Sequence, residues 1–293
     1  MPPRFDLQSH STHSDGALAA AEVVERAADA GVELLALSDH DTISGVSEAI
    51  AAGERRGVRV VSAVEISAID EGSAVPRELH ILGYDIDHTG PVMTARLSDF
   101  LADREKRTLR MRDALRDVGF DLDEAEIEAR IAAGKPIGRP HLAGAVLRAP
   151  ANVQRLKDEG IDDVGSLIRG YLIEGKSAFR LRQTPTVAEA IAAIHDAGGL
   201  AIWAHPFWDI SDPTEVLSTI DRFHALGIDG VEAFYITHTR ENTELLVAHC
   251  AELGLLTTGS ADFHGPENRQ FCEFMAFDTY GLEPNLGPIA SAG

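Results

Sequence analysis

Gln8-Ser9-His10-Ser11-Thr12-His13-Ser14-Asp15-Gly16 lies between a short apolar lead, Phe5 and Leu7, and an Ala-rich stretch of helical period. That placement makes it a strand-to-helix turn, where side chains can converge on a site instead of filling a core. His10, His13 and Asp15 fall within six positions, which is more chemistry than a turn needs. Taken alone, the window fits a metal site and a polar turn closed by Asp15-Gly16 about equally well. The remainder of the chain separates the two readings.

Beyond the turn, Ala20, Val23, Val24 and Ala27 share one helical face within residues 19–30, and Gly31 is placed to end that helix. A buried strand over 34–37 runs into Ser38-Asp39-His40-Asp41-Thr42. A helix over 44–56 closes at Gly57, a strand over 58–66 carries Glu65 at its end, and a strand over 79–86 has His80 near its start. From about 90 to 182 the alternation stops. Charged helical stretches such as 102–118, with pairs like Asp103 and Arg107 at helical spacing, are broken by Gly134-Lys135-Pro136 and Gly138-Arg139-Pro140. We read residues 99–182 as an inserted helical subdomain between barrel segments 1–98 and 183–293.

The alternation then resumes. A helix over 186–197 precedes a strand over 200–204 that ends at His205-Pro206. A helix over 214–226, a strand over 230–234, a helix over 241–253 and a strand over 255–258 lead into Ser260-Ala261-Asp262-Phe263-His264-Gly265. Seven strand–helix units predict an α/β fold on a parallel sheet that can close into a barrel.

Composition limits the partners. The 293 residues carry 26 Lys and Arg against 47 Asp and Glu, a formal charge of -21. Such a surface repels long nucleic acid and anionic membrane at long range, so a small anionic substrate is expected. Cys250 and Cys272 show no CxxC spacing, which predicts no disulfide framework and a cytoplasmic setting. Neither an 18-residue apolar run nor a signal-peptide core is expected. Oligomeric state is left open.

His10, His40, Glu65, His80, His205, Asp262 and His264 all lie at or beside predicted strand ends, where α/β folds bind ligands. Imidazole and carboxylate without thiolate suit Mn, Fe or Zn, and two or three neighbouring ions need a bridging carboxylate such as Glu65. Clustered divalent ions generate a bridging hydroxide at neutral pH and bind anionic oxygen, so hydrolysis of a phosphate ester is the natural chemistry.

The ordered motifs Asp6-Leu7-Gln8-Ser9-His10-Ser11 with Ser14-Asp15-Gly16, Leu37-Ser38-Asp39-His40-Asp41, Val64-Glu65, His80-Ile81-Leu82-Gly83-Tyr84, Ala204-His205-Pro206 and Asp262-Phe263-His264-Gly265 resemble those of the PHP (polymerase and histidinol phosphatase) family. The resemblance implies a distorted (β/α)7 barrel with up to three divalent metals. It implies that His10, Glu65 and Asp262 hold one ion, that Glu65 bridges to a second held by His80 and His205, and that Asp15, His40 and His264 hold a third. Gln8 stands where the family has the first His of His-x-His, so it takes a ligand position as a weaker, neutral donor, and two metals become an alternative to three. Ala261 replaces a Ser and removes a supporting hydrogen bond.

In the insertion, Gly138-Arg139-Pro140-His141-Leu142 and Tyr171-Leu172-Ile173-Glu174-Gly175-Lys176 resemble stand-alone PHP phosphoesterases, including those that remove the 3′-phosphate of nucleoside 3′,5′-bisphosphates. Arg139 can fork onto phosphate, and Lys176 is a second candidate cation for it. His141 and His238 match phosphate-facing or acid-supplying positions. Trp203 and Phe207 are expected to pack, with Phe207-Trp208 near the pocket mouth, and Glu232 to support the ligands. The expected activity is hydrolysis of that 3′-phosphate. Histidinol phosphate and a short oligonucleotide are rival substrates, and a non-catalytic metal-binding regulatory module is the alternative of another class.

Overall fold

The computed structural model describes residues 4–74, 76–135, 137–180 and 185–291, and the side chains of 103 and 104 are not described. The pairing read for Asp103 and the boundary read at 182–183 therefore lie outside the described residues. Two compact units divide at Leu97/Ser98 and again before Pro185.

The first unit is a seven-stranded sheet in sequence order. Its first half runs β1 (Phe5–Asp6), α1 (Ala20–Asp29), β2 (Leu34–Leu37), α2 (Val46–Arg56), β3 (Arg59–Asp70) and β4 (Arg77–Tyr84). Both early helices form where the apolar spacing places them. Ala20, Val23, Val24 and Ala27 of α1 are buried, with Ala49 and Ala52 of α2, in a layer against Leu35 and Leu37. Gly57 ends α2 in the left-handed region at φ 70°, a conformation that glycine enters without the Cβ penalty.

The second unit begins within α3 (Pro91–Asp117) and continues through α4 (Ala125–Ala132), α5 (Arg139–Arg148), α6 (Val153–Asp158) and α7 (Val164–Leu167), followed by a π turn over Ile168–Leu172. It has its own core, in which Met111, Leu115, Phe120, Ile127, Leu142 and Leu172 are buried. Arg155 lies 3.8 Å from the Phe120 ring centroid.

The barrel then resumes with α8 (Val187–Asp196), β5 (Leu200–Trp203), the short α9 (Pro206–Asp209), α10 (Pro213–Ala225), β6 (Gly230–Tyr235), α11 (Arg240–Leu253) and β7 (Leu256–Ser260). Thr186 caps α8 by accepting from Glu189 N, and Asp212 caps α10 by accepting from Thr214 N, each satisfying an orphan donor of the first turn. Leu7 N donates to Gly259 O at 3.1 Å and His10 N to Phe263 O at 2.8 Å, which joins the first strand to the last. Leu7, Ala36, Ala63, Leu82, Tyr84 and Ala204 fill the interior. Three alanines among them leave room for Tyr84, whose hydroxyl donates to Leu7 O at 2.7 Å.

The sheet departs from the all-parallel expectation at one strand. β4 runs antiparallel to both β3 and β5, whereas the other pairs are parallel. β3 and β4 are joined by a short turn after Asp70 instead of a crossover helix, and a short turn can only return the chain antiparallel. β3 also extends beyond Glu65 to Asp70, so Glu65 sits mid-strand rather than at a strand end. The reversal has a functional result. His80, expected near the start of a strand over 79–86, lies midway along β4 and pairs with Ser67 beyond Glu65, so the N-terminal half of β4 reaches the same barrel end as the carboxyl ends of the parallel strands.

Candidate metal centre

Glu65 is the hub of this barrel end, and it is fully buried. Its Oε1 lies 2.6 Å from His80 Nδ1 and 3.4 Å from His205 Nε2; its Oε2 lies 3.1 Å from His10 Nε2 and 3.6 Å from His40 Nδ1. Asp262 Oδ1 is 3.1 Å from His10 Nε2 and 3.6 Å from His264 Nδ1, and Asp15 faces His264 Nε2 at 3.6 Å and His40 Nε2 at 3.8 Å. The His10 ring stacks between His40 and His264, with centroids 4.7 and 4.3 Å away. All eight His and carboxylate residues picked from the sequence as ligands thus converge.

Local backbone explains how they get there. Asp41, His205 and Asp262 take positive φ of 55°, 32° and 55°, a conformation that costs a non-glycine residue about 1–3 kcal/mol. Each is tied down. Asp41 accepts from Ser67 N at 3.0 Å, His205 N donates to Glu232 Oε2 at 2.9 Å, and Asp262 Oδ2 accepts from Tyr235 OH at 2.9 Å. The turn before α1 folds on Asp39, which accepts from Ser11 N, Ser11 Oγ and Ser14 Oγ at 2.7, 2.7 and 2.6 Å. Gly16 is required there because a Cβ would sit 2.2 Å from the His10 carbonyl oxygen.

Charge is arranged in opposed pairs. Burial disfavours a charged His10, yet Asp262 and Glu65 beside it hold its pKa well above the usual value. Burial likewise opposes ionisation of Asp262, but His264 and His10 bring it down to about 2. His205 is raised to about 9 against its own burial, chiefly by Glu65, and burial takes His40 down to about 4. Glu232, one strand away, is pushed up to about 8 by burial despite His205.

Both nitrogens of His10, Asp262 Oδ1 and His205 Nδ1 are buried without a hydrogen bond of acceptable geometry. Buried polar atoms of this kind are rarely left so unless something else satisfies them. Three overlapping groups, His10–Asp15–His40–His264, His40–Glu65–His80 and His10–Glu65–Asp262, each offer ligand atoms within 4.8 Å of one another. The donor set fits divalent cations.

Gln8 behaves differently from the eight. Its Nε2 donates to Glu65 Oε2 at 2.9 Å, and its Oε1 faces Ser260 Oγ at 3.3 Å. The amide oxygen is therefore turned to Ser260, because a carboxylate can only accept and draws the amide nitrogen to itself. Ala261 lacks the hydroxyl expected by resemblance, but its backbone N donates to Asp6 Oδ1 at 3.0 Å and the neighbouring Ser260 Oγ lies 2.6 Å from Glu232 Oε1.

His238 is 4% exposed, and burial lowers its pKa to about 4. Its Nδ1 lies 3.0 Å from Ala233 O; a carbonyl only accepts, so the proton sits on Nδ1 and Nε2 carries a lone pair. In this neutral tautomer the ring presents an acceptor at Nε2. Arg139, His141 and Lys176 belong to the second unit. Arg139 opens α5, His141 Nδ1 accepts from Gly138 N at 3.1 Å at the start of that helix, and Lys176 is exposed in the turn after the π segment.

Trp203 is buried, 5.1 Å from Phe223, as expected of a packing residue. Trp208 is 52% exposed, with its ring centroid 5.7 Å from Phe271, and Phe271 lies 5.6 Å from His264. Sequence reasoning missed Tyr235, Ser260 and Phe271. Tyr235 and Ser260 each fall just past a predicted strand end, where pattern gives no sign that a side chain turns inward, and Phe271 lies in the irregular tail.

A profile of the PHP domain matches residues 6–125. A 5′-3′ exoribonuclease of Haemophilus influenzae is 36% identical over 266 residues, covering 91% of this chain and 92% of that protein. The chain belongs to the PHP family. A second relative, a 3′,5′-nucleoside bisphosphate phosphatase of Chromobacterium violaceum, is 32% identical over 89% of this chain and 87% of its own length. A solved amidohydrolase structure from Chromobacterium violaceum, with bound sulfate and no metal, superposes with a TM-score of 0.77 at 30% identity over 92% of this chain and 90% of that one. This PHP protein is a hydrolase, a metal-dependent phosphoesterase. None of its helices, among the described residues, is long and apolar enough to cross a membrane.

Proposed function

We propose that the protein hydrolyses the 3′-phosphate of a nucleoside 3′,5′-bisphosphate in the cytoplasm, using two or three Mn, Fe or Zn ions. His10, Glu65 and Asp262 hold one ion, Glu65 with His80 and His205 a second, and Asp15, His40 and His264 a third. The distances around Glu65 support this division. When bound, the ions supply a nucleophilic water of lowered pKa and positive charge for the phosphate oxygens. Glu65 presents one oxygen to each side and so spaces the two halves of the cluster. Arg139 forks onto the phosphate, Lys176 and the Nε2–H of His141 contribute further donors, and Nε2 of His238 accepts from a substrate hydroxyl or water. Water, not His238, protonates the leaving oxygen.

The observation that carries a nucleotide substrate is the half-exposed Trp208 ring beside Phe271, which in turn abuts His264. An aromatic face this close to a phosphate-hydrolysing centre is suited to stacking a nucleobase, and histidinol phosphate would use less of it.

The 36% sequence identity to a 5′-3′ exoribonuclease favours a second reading, cleavage of an oligonucleotide. A formal charge of -21 makes a short oligonucleotide the better form of that reading. Phosphate and nucleotide release from adenosine 3′,5′-bisphosphate, AMP, histidinol phosphate and a 5′-phosphorylated dinucleotide, with Mn(II)-loaded protein, tests both. Turnover of the bisphosphate alone supports the first reading, and preference for the dinucleotide replaces it with the second. Metal binding with no turnover of any substrate would leave the regulatory-module alternative.

A further inference from the structure

The inference concerns Gln8 and rests on the metal reading above. Gln8, Ser260 and Glu232 come from the β1–α1 turn, the end of β7 and β6, and all three are fully buried. They form a continuous chain. Glu232 Oε2 accepts from the backbone N of His205 at 2.9 Å, Ser260 Oγ lies 2.6 Å from Glu232 Oε1 and 3.3 Å from Gln8 Oε1, and Gln8 Nε2 donates to Glu65 Oε2 at 2.9 Å. Both ends of the chain therefore meet residues of the ligand cluster, Glu65 at one and His205 at the other.

The polarity of the chain follows from its end. Gln8 Nε2 donates to Glu65 Oε2 and Gln8 Oε1 accepts from Ser260 Oγ, so the amide nitrogen faces Glu65 and the amide oxygen faces Ser260. In this orientation the one Gln8 atom able to ligate a cation points away from Glu65. We propose that Gln8 is a positioning residue that clamps the bridging Glu65 carboxylate through the Glu232–Ser260–Gln8 chain, and that it does not ligate an ion. The ion next to His10 then has His10, Glu65 and Asp262 as its protein ligands, and the clamp on Glu65 takes over the ordering that a fourth ligand would provide. Partners of this kind, one bond removed from the metal, change its affinity when lost.

The test is a double-mutant cycle on Mn(II) binding, with Gln8→Leu, Ser260→Ala and the double variant titrated calorimetrically from metal-free protein. Each single change is expected to weaken the tighter-coupled ion by roughly 10-fold to 100-fold, with the double variant no worse than the poorer single one. Ser260→Thr, which keeps the hydroxyl, should restore binding. If Gln8→Leu weakens binding while Ser260→Ala leaves it unchanged or tightens it, Gln8 is a ligand and the proposal is overturned; if neither moves it, Gln8 is filler and the proposal is equally overturned. Should Gln8→Leu not fold, the Ser260→Ala and Ser260→Thr pair decides alone. Wild-type protein that binds no Mn(II) would sink the metal reading and not the clamp. Melting temperatures of the same metal-free set would then decide, coupling between the two positions supporting the chain and additivity refuting it.

Discussion

Tyr235→Phe removes a single hydroxyl and leaves the ring in place, which makes it a clean probe of how the barrel supports its ions. The ring lies 5.2 Å from His205 and 5.4 Å from His238 and is 3% exposed, so its packing survives the change. What is lost is the 2.9 Å bond to Asp262 Oδ2. Asp262 is ionised, with a pKa of about 2, and a hydrogen bond to a charged group contributes about 1.5–3 kcal/mol. At 1.4 kcal/mol per factor of ten, that is roughly a 10-fold to 100-fold weaker hold on the ion shared by His10, Glu65 and Asp262, in line with other supporting residues. Calorimetric titration of Mn(II) into metal-free protein reads this directly, and phosphate release at limiting metal should fall in parallel while recovering at saturating metal. An unchanged affinity would refute the reasoning, because it would mean that Asp262 is oriented by the ion and the backbone alone. A loss of activity that excess metal does not restore would place the Tyr235 hydroxyl in contact with substrate instead.

Trp208→Ala should raise KM for adenosine 3′,5′-bisphosphate by about 5-fold to 100-fold, the value of one base–aromatic stack, with kcat nearly kept and any histidinol phosphate turnover untouched. Gly16→Ala should abolish high-affinity metal binding, since its Cβ would need the space of the His10 carbonyl; Mn(II) content after gel filtration reports it. Stability of metal-free protein should depend on pH through two groups of opposite sign. His205, raised to about 9, contributes stability that is full below its ordinary pKa of 6.5 and lost as pH rises through about 9, and Asp262, lowered to about 2, contributes stability present above 3.8 and lost as pH falls through about 2. Melting temperatures across this range, compared with His205→Asn and Asp262→Asn, should show the slope flatten at the matching end. Chelation of loaded protein should lower its melting temperature by an amount that grows with the free-metal concentration removed.

Much of this was legible in the primary structure. Ala20, Val23, Val24 and Ala27 announce α1 because burial and helical period coincide there, and 34–37 announces β2 because an uninterrupted apolar run of that length has little else to be. The ligands were legible because a βα turn carrying His or Asp directly after an apolar run places those side chains at one end of a sheet whatever the loop does in detail. Local pattern thus determined the strand–helix alternation, the metal-type donors and the acidic surface. Only tertiary structure decided the direction of β4, because strand direction depends on how long the connection is and which neighbours accept the edge, and neither is written in the strand itself. Direction in turn decided that His80, midway along β4, faces Glu65. The same holds for Gln8. Its identity marks a departure from His-x-His, but whether its oxygen or its nitrogen faces the cluster depends on Glu65, Ser260 and Glu232, brought together from positions up to 252 residues apart, and a hydrogen bond has no period from which to read it in advance.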